Sequence, residues 1–203
     1  MLSLSGSELL GTGRERACYV HPEDESLCIK VDLGVSTRGR RPQSPQDASY
    51  LTHLARRGVP FDHLTRYHGK VETDKGLGYV FDRCINRDGT MPRSLRELRQ
   101  LDAENWPKAL LADLFDFMVE YGVVPSDVSP DNVLFPELES GRIAVLIDGV
   151  GNRDFIPLAT YCRPYARKKI RRKWERFLTS ELGMTSAELR AAAGRPAQRP
   201  ESD

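Results

Sequence analysis

No stretch of the 203-residue chain approaches the roughly 18 consecutive apolar residues that a membrane span requires. Residues Met1 to Gly13 also lack the basic start and long apolar core of a secretory signal. No transmembrane segment is therefore expected, and the cytoplasm is the expected location. Cysteine is scarce: Cys18, Cys28, Cys84 and Cys162 include no C-x-x-C pair, so neither a zinc site nor a disulfide framework is indicated. His21, His53, His63 and His68 fall outside H-E-x-x-H and Cys–His spacing, which argues against a protein-built transition-metal site. An excess of one charge is missing too. With 30 Lys and Arg against 29 Asp and Glu, the net charge is +1. The surface as a whole offers no field to gather nucleic acid or an anionic membrane, so such a partner would have to meet a local patch. The chain shows no internal repeat of about 20–50 residues, and its 16 glycines and 13 prolines are near average usage, which excludes collagen-like and globally disordered classes.

What is present changes character along the chain. Its length suits about one domain of two lobes. Residues 1–85 are expected to be a β-rich lobe with one helix. Within it, Leu9 and Leu10 approach a Gly-containing turn, strands follow at Ala17 to Val20 and Leu27 to Leu33, and Pro22 to Ser26 turn between them. A loop rich in Gly, Pro, Ser and Arg, including Arg38-Gly39-Arg40-Arg41, precedes a helix that Ser44 can cap, with Pro45 in its first position and Gly58 with Pro60 as its stop. Strands at Thr65 to Glu72 and Leu77 to Asp82 complete this part. Residues 86–193 read as mainly helical. Helices are predicted at Ser94 to Leu101, Trp106 to Tyr121 and Tyr165 to Leu182, with a small hairpin of Val133 to Phe135 and Ile143 to Ile147. Thr185-x-x-Glu188 opens a last short helix, and residues 194–203 are expected to be a disordered tail.

Three separated segments carry chemistry. Gly11-Thr12-Gly13 between two strands lets backbone N–H groups approach a phosphate, and Lys30 on the following strand can reach the same oxygens as a point charge. Arg16 stands where G-x-G-x-x-G would have its third glycine, and a hairpin turn explains the two glycines equally well. Asp127-Val128-Ser129-Pro130-Asp131-Asn132 fits D-x-x-x-x-N, in which the aspartate accepts a hydroxyl proton and the asparagine holds magnesium. Asp148-Gly149 follows an apolar strand, where a carboxylate can hold the cation bridging nucleotide phosphates. Each of these last two is also a common Asp turn.

Their order decides between the readings, because Gly-rich hairpin, strand lysine, helix, strands, long helix, D-x-x-x-x-N, hairpin and Asp-Gly is the part order of protein kinase-like folds. The chain resembles that superfamily. More narrowly, GTGRERACYVHPEDESLCIKV, RYHGKVETDKGLGYVFD and LIDGVGNRDFIPLATYCRPYARKKIRRKWERF are similar to the bacterial YrbL family, named from the PhoP regulatory network, over roughly residues 4 to 182. The resemblance implies an α+β, two-lobed fold that binds ATP and Mg²⁺ and transfers phosphate to an acceptor it does not specify. Pro125-Ser126-Asp127 replaces His-Arg-Asp, so the histidine that braces the catalytic loop is missing. Asp148 is followed directly by Gly149, without the Phe of Asp-Phe-Gly, and no Ala-Pro-Glu follows. An activation loop regulated by phosphorylation is not expected; small-molecule kinases of the superfamily manage without one.

On this reading Gly11 and Gly13 cover the nucleotide phosphates, Lys30 holds them, Asn132 and Asp148 bind magnesium, and Asp127 orients or deprotonates the acceptor hydroxyl. Asp47 is either the acidic partner of Lys30 or the closing residue of a capping box with Ser44. Between Arg163 and Arg176 lie eight Lys or Arg and one Glu. The apolar face of Ile170, Trp174, Phe177 and Leu178 makes this a packed helix with a solvated cationic side, and nucleic acid an unexpected partner. The alternative is a nucleotide-binding pseudokinase that acts as a regulatory module.

Overall fold

Alternating apolar residues in the first 85 positions build an antiparallel sheet. In the computed structural model, which describes residues 1–13, 15–34, 43–151 and 162–196, the chain divides into two compact units, Met1–Ile85 and the part from Asn86 onward. In the first, strands β1 (Leu9–Thr12), β2 (Arg16–His21), β3 (Asp24–Asp32), β4 (Tyr67–Thr73) and β5 (Gly76–Asp82) pair in the order β1-β2-β3-β5-β4. Because strand side chains alternate between faces, Ile29 and Val31 turn to one side and pack with Leu4 and Val80, flanked by Leu2, Tyr19, Leu27 and Val71. Gly78 makes that packing possible, since a Cβ there would lie 2.6 Å from Cγ2 of Ile29. Asp74, in the β4–β5 turn, holds the N-terminal segment: its carboxylate accepts the Leu4 amide (2.8 Å) and the Ser5 hydroxyl (2.7 Å). These hydrogen bonds to the charged form pull its pKa down to about 2.

Helix α1 (Gln43–Arg56) buries Ser44, Asp47, Ala48, Tyr50, Leu51 and Leu54. It departs from the sequence expectation at its start. Gln43 is already helical, so Ser44 lies inside the helix, and its hydroxyl donates to Oδ1 of Asp32 (2.5 Å). Leu9–Thr12 is a strand rather than an approach to one, because Gly11 and Thr12 extend the ladder opposite Cys18 and Ala17. The Arg38 to Arg41 loop lies outside the described residues.

In the second unit, α2 (Leu95–Leu101) starts at a capping box of Ser94 and Glu97, and α3 (Lys108–Tyr121) buries Leu111, Ala112, Leu114, Phe115, Phe117 and Met118. Gly122 ends α3 in the left-handed region (φ 68°), where glycine has no Cβ penalty. The expected hairpin is a nested ladder: β6 (Val133–Leu134) pairs with β9 (Val145–Leu146), and between them β7 (Glu137–Leu138) pairs with β8 (Gly141–Arg142). Helix α4 (Arg163–Phe177) stacks Trp174 on Phe115, with ring centroids 5.0 Å apart, and runs on as a π-helical turn, Leu178–Leu182. Helix α5 (Ser186–Ala192) carries the predicted capping box of Thr185 and Glu188. Arg195 ion-pairs with Asp113 and Asp116 of α3 (2.8 Å to Asp116), while residues 197–203 of the expected disordered tail lie outside the described residues. Among the described residues no helix is long and apolar enough to cross a membrane.

Candidate functional site

The two Asp motifs of the second unit are joined through their backbones. The Ser126 and Asp127 amides both donate to the Gly149 carbonyl, at 2.7 and 3.1 Å, and the Ile147 amide donates to the Asn132 carbonyl at 2.9 Å. Asp148 therefore sits between two residues that pin the start and the end of the D-x-x-x-x-N loop. Pro125 and Val150 form a β-bridge beside this contact, and the Gly151 amide donates to Val124. The approach is so close that glycine is obligatory. Gly149 has φ +76°, and a Cβ on it would lie 1.7 Å from the Asp127 carbonyl oxygen.

These bonds bring Asp127, Asn132 and Asp148 to one place. Asp127 is exposed, whereas Asn132 and Asp148 are half-buried. Oδ1 of Asp148 accepts the Gly149 amide (2.6 Å), which fixes the carboxylate against its own turn. The loop's other aspartate is committed elsewhere. Asp131 receives a two-pronged bond from Arg96 of α2, Nε to Oδ1 at 2.7 Å and Nη2 to Oδ2 at 2.9 Å, the planar fork matching the carboxylate. Asp127 is the loop's other carboxylate, and its side chain is exposed. The carboxamide of Asn132 and carboxylate of Asp148 are hard oxygen donors of the kind magnesium prefers. Among the described residues no three His, Cys, Asp or Glu side chains converge to hold a metal ion. The pair would thus leave most of an octahedral shell to phosphate oxygens and water.

In the first unit, Lys30 lies opposite Cys18 on β2 and Tyr79 on β5, and its ammonium stands 4.7 Å from the centre of the Phe81 ring. Cys28 shares this face, and a hydrogen bond to Cys18 together with burial raises its thiol pKa well above the usual range. Gly11 and Gly13 are not demanded by the fold. Neither has a positive φ, a Cβ at Gly11 would meet nothing within 4 Å, and one at Gly13 would sit 3.7 Å from the Arg16 carbonyl. Room therefore remains above β1 for a ligand to approach the main chain. Asp47 is buried, and its carboxylate accepts from Nη1 of Arg16 at 2.9 Å, both side chains being under one-tenth exposed. Arg16 thus ties the start of β2 to α1.

Sequence reasoning missed Arg16, Arg96 and Lys173 as partners. Arg16 stood only as the residue replacing a glycine, although its place in β2, two residues from Cys18, put it on the face of Lys30. Lys173 was counted with a solvated cationic side. The structure instead buries Lys169 to 5% exposure and turns Lys173 to the Ser126 carbonyl (Nζ–O 2.6 Å), so two of the eight cations point inward. The signal was available in the heptad-like spacing, since 169 and 173 share the stripe of Ala166, Ile170 and Phe177.

Residues 2–181 match the model of the family described as PhoP regulatory network protein YrbL. The chain is 35% identical over 183 residues to the YrbL proteins of Escherichia coli (strain K12) and Shigella flexneri, covering 88% of this chain and 87% of theirs. It is also 28% identical over 144 residues to the serine/threonine-protein kinase OXI1 of Arabidopsis thaliana, covering 64% of this chain and 33% of the kinase.

Proposed function

The chain belongs to the YrbL family, and from that premise we propose that it is an ATP- and Mg²⁺-dependent phosphotransferase with a protein kinase-like fold. The observation that carries this reading is the pinning of the Asp127 to Asn132 loop by Ile147 and Gly149 on either side of Asp148. A proton acceptor and two magnesium-type oxygen donors from segments far apart in sequence are held together by main-chain bonds. The kinase relative supports the same reading over nearly two thirds of the chain. When bound, Mg²⁺ and ATP supply the transferable phosphoryl group and neutralise its charge. Asn132 and Asp148 would hold the metal, and the main chain at Gly11 and Gly13 together with Lys30 would hold the phosphates. Asp127 would orient the acceptor hydroxyl and receive its proton. ATP is abundant in the cytoplasm, the location this reading assigns.

ADP formation from ATP with Mg²⁺, measured together with autophosphorylation on the wild type and on Asp127→Asn, tests the proposal. The variant is expected to lose about 100-fold or more in turnover, the range of a removed general base, while keeping its ATP affinity. Wild-type turnover in the variant refutes the base assignment. The second reading, a regulatory module that binds nucleotide without turnover, is favoured by the family's description as a regulatory network protein. It prevails if ATP with Mg²⁺ stabilises the chain yet neither ADP nor phosphorylated protein is formed.

A further inference from the structure

We infer that Lys173 is the positioning residue of the Asp127 loop, and that it takes over the bracing work of the histidine this chain lacks. The inference rests on the reading of Asp127 as the proton acceptor. Two atoms of one peptide unit carry it. The carbonyl of Ser126 and the amide of Asp127 belong to the same planar group. The carbonyl accepts from Nζ of Lys173 at 2.6 Å, and the amide donates to the Gly149 carbonyl at 3.1 Å. The plane preceding Asp127 is therefore held at both ends, and with it the direction in which the Asp127 side chain leaves the main chain.

The Ser126 side chain does not share this task, because its hydroxyl is buried without a hydrogen-bond partner among the described residues. The lysine is well supported where it stands. Trp174, the next residue, is fully buried against Phe115, and Ile170 and Phe177 flank Lys173 on the packed stripe of α4. An ammonium turned toward the interior is costly unless hydrogen-bonded, and a main-chain carbonyl is a suitable acceptor. Without the ammonium, the Ser126 carbonyl loses this donor, and among the described residues the plane is then held at its amide end. The Asp127 carboxylate would then sample several directions, and misplacement of a reacting group by about 1 Å can cost on the order of 100-fold in rate.

The test uses the full chain with Lys173→Met, which keeps the length of the stem and removes the donor, and Lys173→Arg, which returns a donor. Lys173→Leu, which also lacks a donor, replaces the methionine variant if that one does not fold. Amide hydrogen exchange at Asp127 and steady-state ATP hydrolysis with Mg²⁺ are measured on each. Lys173→Met is expected to speed exchange at Asp127 about tenfold or more and to lower kcat about 10–100-fold with KM for ATP unchanged. Lys173→Arg is expected to restore most of both. A lysine that only stabilised α4 would lower the melting temperature without this split between kcat and KM. Unchanged exchange at Asp127 overturns the inference, and so does faster exchange with wild-type kcat. If the wild type itself forms neither ADP nor phosphorylated protein, the phosphotransferase reading fails separately, and the exchange measurement still decides whether Lys173 holds the loop.

Discussion

Replacing Gly149 by alanine tests the contact on which the whole site rests. The new Cβ would lie 1.7 Å from the Asp127 carbonyl oxygen and 2.8 Å from its carbon, and both atoms are main chain, so no side chain can swing away. Relief requires the two segments to separate by more than 1 Å, toward the roughly 3 Å at which real Cβ contacts begin. The positive φ of 76° adds about 1–2 kcal/mol for a residue with a Cβ. Separation weakens the bonds from the Ser126 and Asp127 amides to Gly149, at about 0.5–1.5 kcal/mol each. Gly149→Ala should therefore destabilise the protein by about 2–5 kcal/mol. Gly183 is the control in the same unit: its φ is 69°, yet a Cβ would meet nothing within 4 Å, so Gly183→Ala pays only the backbone term. Urea unfolding of both variants, followed by the fluorescence of Trp106 and Trp174, gives the comparison, and ATP with Mg²⁺ should stabilise Gly149→Ala far less than Gly183→Ala. Equal destabilisation by the two substitutions refutes the close approach of Gly149 to Asp127.

Lys30→Ala should weaken ATP binding with little change in melting temperature, since the ammonium rests on the Phe81 ring at a partly exposed position; an unaltered nucleotide affinity with a collapsed melting temperature would make Lys30 structural. Asp148→Ala should abolish the added stabilisation that Mg²⁺ gives in the presence of ATP, about 2.7 kcal/mol at a hundredfold excess over Kd, and melting with ATP, with Mg²⁺ and with both reads it. The Asp74 carboxylate should titrate near pH 2 by carbon NMR. Because its folded pKa is depressed from 3.8 to about 2, its grip on the N-terminal segment is complete above about pH 4 and is lost as the pH falls toward 2. A midpoint at the ordinary carboxylate value refutes the bonds from Leu4 and Ser5.

The helices and most strands were legible because their causes are local. The three- and four-residue recurrence of Leu110, Leu114, Phe117, Met118 and Tyr121 is a property of neighbours one turn apart, and the Thr185 and Glu188 capping box closes within four residues. The residue types of the candidate site were legible for the same reason: Asp127 and Asn132 stand at a fixed spacing, and Asp148-Gly149 follows a short apolar run. Partners were not legible. Two roles stood open for Asp47, and tertiary packing supplied a third by setting its buried carboxylate against Arg16, 31 residues away. Likewise Asp131 went to Arg96 across 35 residues, and the Ser126 carbonyl to Lys173 across 47. A carboxylate or guanidinium carries the same charge whichever partner it finds. The choice is made only when sheet register and helix packing bring two segments within about 3 Å, a distance that no local pattern encodes. The space at Gly149 is of the same kind: the sequence by itself determined a turn there, and the fold determined that the turn must press against Asp127.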